Sequence, residues 1–181
     1  MRGSRRGAPI RIGIALGIGA SVLTACGGTT SASTPASQLL TAGLAAQTEG
    51  HNQQATTDFQ AVLKQDPGNK YALYDLGLID QNQGNDTAAA ALYRAALVSD
   101  PNYVPALFNL AIVRTKAAPY EAIDLYRHVI AAEPGYAEAH LNLGYVLRSV
   151  GQVTEGEAEI ARAVALKGSL ASPTPSPTAT P

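Results

Sequence analysis

Small, apolar and aromatic positions recur along the middle of this chain with a period of 33 or 34 residues. An acidic residue followed by proline marks each period, at Pro67, Pro101 and Pro134. Three further series keep the same spacing: Gly43, Gly77, Ala111 and Gly144; Ala55, Ala89, Ala122 and Gly156; Phe59, Tyr93, Tyr126 and Ile160. Because four series agree on one period, the sequence predicts an array of equivalent structural units.

Each unit is predicted to contain two helices. In the second unit, leucine and isoleucine recur at helical spacing between Tyr71 and Gln83, and Gly84 follows. The next run, from Thr87 to Ser99, is rich in alanine, the best helix former, and Pro101 ends it. No run of residues has the pattern of a strand. We therefore expect an all-α fold of about four helical hairpins, with units at residues 38–69, 70–103, 104–136 and 137–168.

These units resemble the tetratricopeptide repeat family over about residues 37–167. The resemblance rests on the acidic-proline pairs and on four segments: Tyr74-Asp75-Leu76-Gly77, Leu107-Phe108-Asn109-Leu110-Ala111, His140-Leu141-Asn142-Leu143-Gly144 and Tyr120-Glu121-Ala122-Ile123-Asp124-Leu125-Tyr126. It implies a right-handed α-α superhelix, which is a solenoid of stacked hairpins. The resemblance is a weak guide to function, because the matching positions build the hairpins and specify no site.

The repeat frame predicts a leucine-rich core and a polar end to the array. We expect seven leucines to be buried: Leu76, Leu92, Leu97, Leu107, Leu110, Leu125 and Leu143. No further helix is expected after Lys167, and Glu155, Glu159 and Arg162 share one stripe of the last helix. We expect that stripe to form a polar cap, as the terminal repeats of solenoids require.

The start of the chain has the layout of an export signal. Four arginines precede or enter an apolar run from Ile10 to Val22, which is too short to cross a bilayer as a helix. Leu23-Thr24-Ala25-Cys26 follows and resembles the lipobox of bacterial lipoproteins. We therefore expect residues 1–25 to be a signal peptide and Cys26 to carry lipid outside the cytoplasm. The alternative is an ordinary secretory signal with a chance cysteine, and the export route, general or twin-arginine, stays open.

Composition supports a tethered domain with low-complexity ends. Residues 26–37 are predicted to be the lipidated cysteine and a flexible linker rich in Gly, Ser and Thr. Residues 169–181 are predicted to be a disordered tail rich in Pro, Ser and Thr. Loss of residues 1–25 would lower Lys and Arg from 13 to 9 against 14 Asp and Glu, a net charge of −5. That balance argues against nucleic acid as a partner.

No residue pattern indicates catalysis, a metal site or a cofactor. The repeat frame places His51 in an inter-helix turn, His128 on the second helix of the third unit and His140 on the first helix of the fourth. No two of them share a helix face, and none is predicted to lie near a second metal ligand. His140 is expected to be a packed hairpin residue. No nucleophile pairs with a base at a recognisable spacing, and there is no phosphate-binding glycine loop after a strand.

The family resemblance implies a concave face built from the first helices of successive hairpins. On this chain that face would carry twelve residues, called the groove residues below: Leu40, Leu44, Tyr71, Tyr74, Leu78, Phe108, Asn109, Ile112, Leu141, Asn142, Tyr145 and Arg148. Several are aromatic or large and apolar, as binding anchors commonly are. The alternative is that these side chains are apolar only for stacking. Some family members clamp a peptide carboxylate with basic residues, but we expect only Arg148 on the first helices and reject that clamp.

The sequence thus favours a membrane-anchored scaffold of the cell envelope that binds a protein or peptide segment in this groove. The expected ligand is an apolar or aromatic peptide, or a helix. Two alternatives stay open. One is self-assembly of the short array through its ends, and the other is an accessory role beside an enzyme of the cell envelope.

Overall fold

The computed structural model describes residues 34–171, with only the backbone of residues 169–171. It contains eight helices within that range and no strand. Their bounds are α1 Ala36–Thr48, α2 Asn52–Gln65, α3 Lys70–Asn82, α4 Asp86–Ser99, α5 Val104–Arg114, α6 Pro119–Ala132, α7 Ala137–Ser149 and α8 Val153–Ala171. Successive pairs form four antiparallel hairpins, and each new hairpin packs on the one before it. The predicted all-α solenoid of four hairpins is confirmed.

Both ends of the predicted repeat region differ from the structure. Helix α1 begins at Ala36, inside the predicted linker. Helix α8 ends at Ala171, so the predicted start of the tail at residue 169 is wrong. Gly168 does not end the helix, because a single glycine destabilises a helix by only about 1 kcal/mol. The first proline after the start of α8 is Pro173. The predicted signal peptide, Cys26 and residues 172–181 lie outside the described residues.

Three of the four hairpin turns depend on a glycine with positive φ. Gly50, Gly84 and Gly151 have φ of 80°, 80° and 87°, values that side chains of other residues rarely tolerate. The backbone N–H of the following residue donates to a carbonyl five residues earlier, as from Asn85 to Asp80 at 2.9 Å. The third hairpin lacks this glycine. Its first helix, α5, has 11 residues where the others have 13, and a longer turn precedes Pro119.

Aromatic rings fill the seams between the hairpins. Phe59, Tyr93 and Tyr126 are at most 1% exposed, and each belongs to a separate core cluster that joins two successive hairpins. Each ring lies against the first helix of its own hairpin, at the position where the repeat has a small residue. A Cβ atom built on Gly77 would lie 2.5 Å from Cε1 of Tyr93, and one on Gly43 would lie 2.6 Å from Cε1 of Phe59. The small residues therefore set the distance between the helices of a hairpin.

Most of the predicted leucine core is confirmed. Leu76, Leu107, Leu110 and Leu143 are buried. Leu92, Leu97 and Leu125 are only partly buried, and they pack on the edges of the core clusters. The fully buried positions of the second helices are instead held by alanines, valines and aromatic residues.

Ion pairs recur along the second helices as well. The Arg94 guanidinium on α4 contacts Glu121 on α6 at 2.5 Å, and Arg127 on α6 contacts Glu155 on α8 at 2.7 Å. Within the repeat, Arg127 is equivalent to Arg94 and Glu155 to Glu121. Because these side chains are partly exposed, each pair contributes little, about 0–1 kcal/mol. Their recurrence shows that the same stacking geometry joins hairpins two to four.

One buried polar pair replaces apolar packing in the fourth hairpin. His140 on α7 and Glu159 on α8 are 5% and 7% exposed, and Nδ1 of His140 lies 2.6 Å from Oε2 of Glu159. The Nε2–H of His140 donates to the carbonyl oxygen of Pro134 at 3.1 Å, and Arg162 donates to Oε1 of Glu159 at 2.6 Å. The predictions that Glu159 belongs to an outer polar cap and that His140 lies near no second ligand are therefore wrong. The expectation that His140 packs within its hairpin is confirmed.

We predict that Gly77→Leu destabilises the protein by overpacking, by roughly 1–3 kcal/mol or more. Leucine is the test residue because Ala111 shows that the third hairpin accommodates a methyl group at the equivalent position. Gly135→Leu is the matched control, since nothing lies within 4 Å of a Cβ built there. Urea unfolding followed by circular dichroism measures both variants. Equal stability of the two variants would contradict the prediction.

A second prediction concerns the buried pair. The second and third hairpins hold Leu73 with Leu92 and Leu107 with Leu125 at the positions of His140 and Glu159. His140→Leu or Glu159→Leu alone should destabilise by about 3–5 kcal/mol, because each leaves a buried polar group without its partner. The double variant should recover most of that loss. A double-mutant cycle from urea unfolding measures the coupling, and additive losses would show that the pair is not energetically linked.

Candidate functional site

The groove residues lie where the repeat frame places them along the chain, on α1, α3, α5 and α7. Contacts join α1 to α3 and α3 to α5, so these three first helices lie side by side. Five of the twelve residues are exposed, and four of these are apolar or aromatic, namely Leu44, Tyr71, Ile112 and Tyr145, with exposed fractions from 36% to 56%. Arg148 is exposed too, and the other seven, Leu40, Tyr74, Leu78, Phe108, Asn109, Leu141 and Asn142, are partly buried. The groove residues therefore have two roles, since some form the surface and others support it from behind.

A cluster of tyrosines, here called the tyrosine cluster, joins the N-terminal parts of α3 and α5 to the middle of α4. It consists of Tyr71, Tyr74, Tyr93 and Tyr103. The ring of Tyr103 meets those of Tyr71 and Tyr74 edge to face, with centroids 5.8 and 5.5 Å apart. Tyr74 also lies 5.8 Å from the buried ring of Tyr93. Edge-to-face aromatic pairs stabilise one another beyond their burial, so this surface is held rigidly.

The neighbouring hairpin repeats the arrangement. Phe108 on α5 lies 4.9 Å from Tyr136 and 5.8 Å from the buried Tyr126, measured between ring centroids. Tyr136 precedes α7 as Tyr103 precedes α5, and the two tyrosines are 33 residues apart. Sequence reasoning missed both of them. Their position two residues after the proline of each acidic-proline pair was the available signal.

Hydrogen bonds fix the aromatic side chains in place. The Asn109 amide donates to the hydroxyl oxygen of Tyr74 at 3.1 Å and to the carbonyl oxygen of Pro105 at 3.0 Å. The Tyr93 hydroxyl donates to Oε1 of Gln81 at 2.6 Å. The bond from Asn109 joins α5 to α3, so the predicted groove residues Tyr74 and Asn109 do meet. Both serve to hold neighbouring first helices in register.

A charged group close to the tyrosine cluster is already paired. The Lys70 ammonium contacts Oδ2 of Asp100 at 2.6 Å and lies 5.2 and 5.0 Å from the ring centroids of Tyr71 and Tyr103. The hydrogen bond from Lys70 lowers the pKa of the Asp100 carboxyl. Arg114, at the end of α5, is likewise bonded to Glu121 at 2.8 Å. The prediction that Arg148 is the only basic residue on the first helices is therefore wrong, although Lys70 and Arg114 are both held by acids.

A cavity of about 490 Å³ lies between α5 and α7, near the C-terminal end of α5. The groove residues Ile112, Asn142 and Tyr145 line it. The rest of its lining comes from further residues of α5 and α7, from α3, α4 and α6, and from the turn after α5: Gln81, Asp86, Val113, Thr115, Lys116, Tyr126 and Val146. Apolar side chains are thus interspersed with amide, hydroxyl and charged groups, which suits a peptide better than a purely apolar ligand.

One buried carboxyl lies behind the site. Asp75 on α3 is 7% exposed, and burial raises its pKa to about 6. Asn109 and Asn142 occupy the equivalent positions of the next two hairpins. Burial raises the pKa of Tyr103 to about 12, and the nearby Tyr74 hydroxyl and Asp75 carboxyl add to that shift. Asp75 therefore places a carboxyl behind the tyrosine cluster at a position where the later hairpins carry a neutral amide.

Residues 34–171 offer no group of three or more His, Cys, Asp and Glu side chains that could hold a metal ion. Within that range, no helix is both long and apolar enough to cross a membrane.

The comparisons with known proteins agree with this architecture. A family model described as tetratricopeptide repeat matches residues 40–104 and 119–171, which is more than half of the chain. Among solved structures, one of MamA is 21% identical with a TM-score of 0.70, covering 75% of this chain and 80% of that one. A MamA fragment from Desulfovibrio magneticus RS-1 is 20% identical with a TM-score of 0.68, covering 76% of this chain and 78% of that one. These likenesses show the fold.

A third solved structure is a thermophilic tetratricopeptide repeat protein from Thermus thermophilus. It is 23% identical, its TM-score is 0.59, and the match covers 74% of this chain and 75% of that one. No curated protein matches the chain.

We predict that Asp75→Asn stabilises the protein at pH 8, by about 1–3 kcal/mol. The folded pKa of about 6 lies above the ordinary 3.8, so the folded state binds the proton more tightly than the unfolded state. The stability of the unmodified chain should therefore fall as pH rises from about 4 to about 6 and then level off. The advantage of the variant should be lost below about pH 4.

Urea unfolding between pH 4 and pH 8 measures this dependence. Asp124→Asn is the matched control, because the side chain of Asp124 is 80% exposed. It should leave the pH profile unchanged. A loss of stability for Asp75→Asn at pH 8 would show instead that the ionised carboxylate stabilises the fold.

Proposed function

Since the chain belongs to the tetratricopeptide repeat family, we propose that it is a non-enzymatic scaffold that binds a segment of another protein along α3, α5 and α7. The tetratricopeptide repeat fold supports a role in protein–protein interaction. The finer proposal concerns the surface used, the kind of ligand and the place in the cell. The observation that carries it is the cavity between α5 and α7, where Ile112 and Tyr145 are exposed beside Asn142.

The ligand best suited to this surface is a peptide with apolar or aromatic side chains. Ile112 and Tyr145 offer apolar contact, and the Asn142 amide can both donate to and accept from a peptide backbone. The site is supported by packed rings and by the Tyr74–Asn109 bond, so binding would require little ordering of the protein. The pairing of Lys70 with Asp100 and of Arg114 with Glu121 supports a ligand that is not held by a carboxylate clamp.

We further propose that the scaffold is exported and anchored to the cell membrane by lipid on Cys26. The support comes from the sequence: the basic start, the short apolar run and the lipobox-like Leu23-Thr24-Ala25-Cys26. Residues 27–33, between the cysteine and the described region, are Gly, Ser, Thr and Ala only, a composition typical of flexible tethers. Such an anchor would hold the binding surface near the membrane and bring its partner there.

Site-specific photo-crosslinking in native membranes tests this function. A photoreactive phenylalanine analogue at Tyr145 should capture one dominant partner, and Ile112→Asp in the same chain should abolish the capture. The analogue at Tyr120 is the matched control, since that ring is 65% exposed but lies on α6. Capture that survives Ile112→Asp, or that is equal at the two positions, would contradict the proposed site. Crosslinks only between copies of this chain would favour self-assembly instead.

Cys26→Ala provides the second arm of the experiment. The variant should leave the membrane fraction, and it should lose the partner if that partner resides at the membrane. Retention of Cys26→Ala in the membrane fraction would contradict the lipid anchor without affecting the binding site.

A further inference from the structure

The carboxyl of Asp75, on α3, is buried without a partner. Among residues 34–171 it takes part in no hydrogen bond or ion pair, although the residue is only 7% exposed. Every side-chain nitrogen and oxygen of this range that is shut off from solvent has a hydrogen-bond partner. The carboxyl oxygens of Asp75 have none, so they keep a small contact with solvent. A buried carboxyl in this state is unfavourable until a ligand supplies a hydrogen-bond donor.

The repeat explains why Asp75 lacks a partner within the chain. Asn109 is the equivalent residue of the next hairpin, and its amide donates to the hydroxyl oxygen of Tyr74 on the preceding first helix at 3.1 Å. The first helix that precedes Asp75 is α1, and it carries Leu40 at the position of Tyr74. Leucine has no hydroxyl group, so this hydrogen bond cannot form between α1 and α3.

The seam between α1 and α3 has the residue pattern of the cavity between α5 and α7. In that cavity a partly buried amide lies beside two exposed side chains, namely Asn142, Ile112 and Tyr145. The equivalent residues of the first seam are Asp75, Leu44 and Leu78. Leu44 is 42% exposed, and Leu78 is partly buried. The first seam therefore offers apolar side chains with a carboxyl group where the cavity has an amide.

The neighbouring first helices do not balance the charge of Asp75. Helix α1 has no charged residue. Lys70 on α3 contacts Asp100, and Arg114 on α5 contacts Glu121. Burial raises the pKa of Asp75 to about 6, so its carboxyl is ionised at neutral pH. A carboxylate only accepts hydrogen bonds, and it bonds most strongly to donors that carry positive charge.

We propose that the segment bound along the first helices carries a lysine or arginine whose charged group contacts the carboxylate of Asp75. The aliphatic part of that side chain packs on Leu44 and Leu78, since long basic side chains cover apolar surface with their stems. This inference rests on the proposed function and defines its ligand more closely, as a segment with apolar or aromatic residues and a basic one. The carboxylate that is unpaired in the free protein thus selects the ligand.

Selection from a phage-displayed library of random peptides tests this preference. The target is the full chain, purified from the cells that make it, and the same library is selected against Asp75→Asn and Asp124→Asn. Peptides enriched by the unmodified chain should contain lysine or arginine at a fixed spacing from an apolar or aromatic residue. Asp75→Asn should lose the preference for the basic residue, and Asp124→Asn should keep it. Both variants remove one negative charge, so the control accounts for general attraction of basic peptides.

A second measurement changes the ligand and leaves the protein intact. The most enriched peptide is synthesised again with its basic residue replaced by norleucine, which has an aliphatic chain and no charge. Its binding to the unmodified chain, followed by fluorescence anisotropy, should be weaker by about 10-fold or more, as expected for loss of a hydrogen bond between charged groups. Asp75→Asn should weaken binding of the original peptide by a similar factor and should bind the norleucine peptide as the unmodified chain does.

Two results would overturn the inference: enriched peptides that have no basic residue, and a basic preference that Asp75→Asn retains. If such peptides still bind the unmodified chain and not Ile112→Asp, the proposed function stands without the inference. If basic peptides depend on Asp75 and bind Ile112→Asp unchanged, the cavity is not the binding site and the contact with Asp75 stands. Failure to enrich any peptide would contradict the proposed function and the inference together.

Discussion

The close approach of the two helices within each hairpin is the constraint from which the rest of this structure follows. It requires a small residue on the first helix wherever the second helix carries a ring, as with Gly77 against Tyr93 and Gly43 against Phe59. The ring then fills the seam to the next hairpin, so one residue determines both the packing within a hairpin and the stacking between hairpins. Since each contact is local, the same solution can be repeated along the chain.

The binding surface depends on this packing. Tyr74 and Phe108 lie on the first helices, and each stacks on a buried ring of a second helix, Tyr93 or Tyr126. The exposed ring of Tyr71 is in turn held by Tyr103. Rings supported in this way present a surface that is already arranged for a ligand, which lowers the entropy cost of binding. The groove residues are thus neither purely functional nor purely structural.

Polar groups enter the core at two places where the repeat is irregular. Asp75 replaces the amide found in the later hairpins, and burial raises its pKa. His140 and Glu159 replace a pair of leucines and form a buried contact in the last hairpin. Buried polar pairs often stabilise less than the apolar residues they replace, whereas breaking one is costly. At both sites the stability of the fold depends on single buried side chains. These side chains are not part of the exposed surface.

The repeat period by itself determined the fold, because four series of residues at one spacing leave few arrangements other than stacked hairpins. The resemblance to the tetratricopeptide repeat family, and not the period itself, placed the groove residues on the first helices. The helix boundaries at Ala36 and Ala171 differ from the prediction because local composition is a weak guide to where a helix begins or ends. Tyr103, Tyr136, the His140–Glu159 pair and the cavity beside Ile112 join residues from different helices. Only packing in three dimensions brings them together, so no pattern along the chain could reveal their contacts.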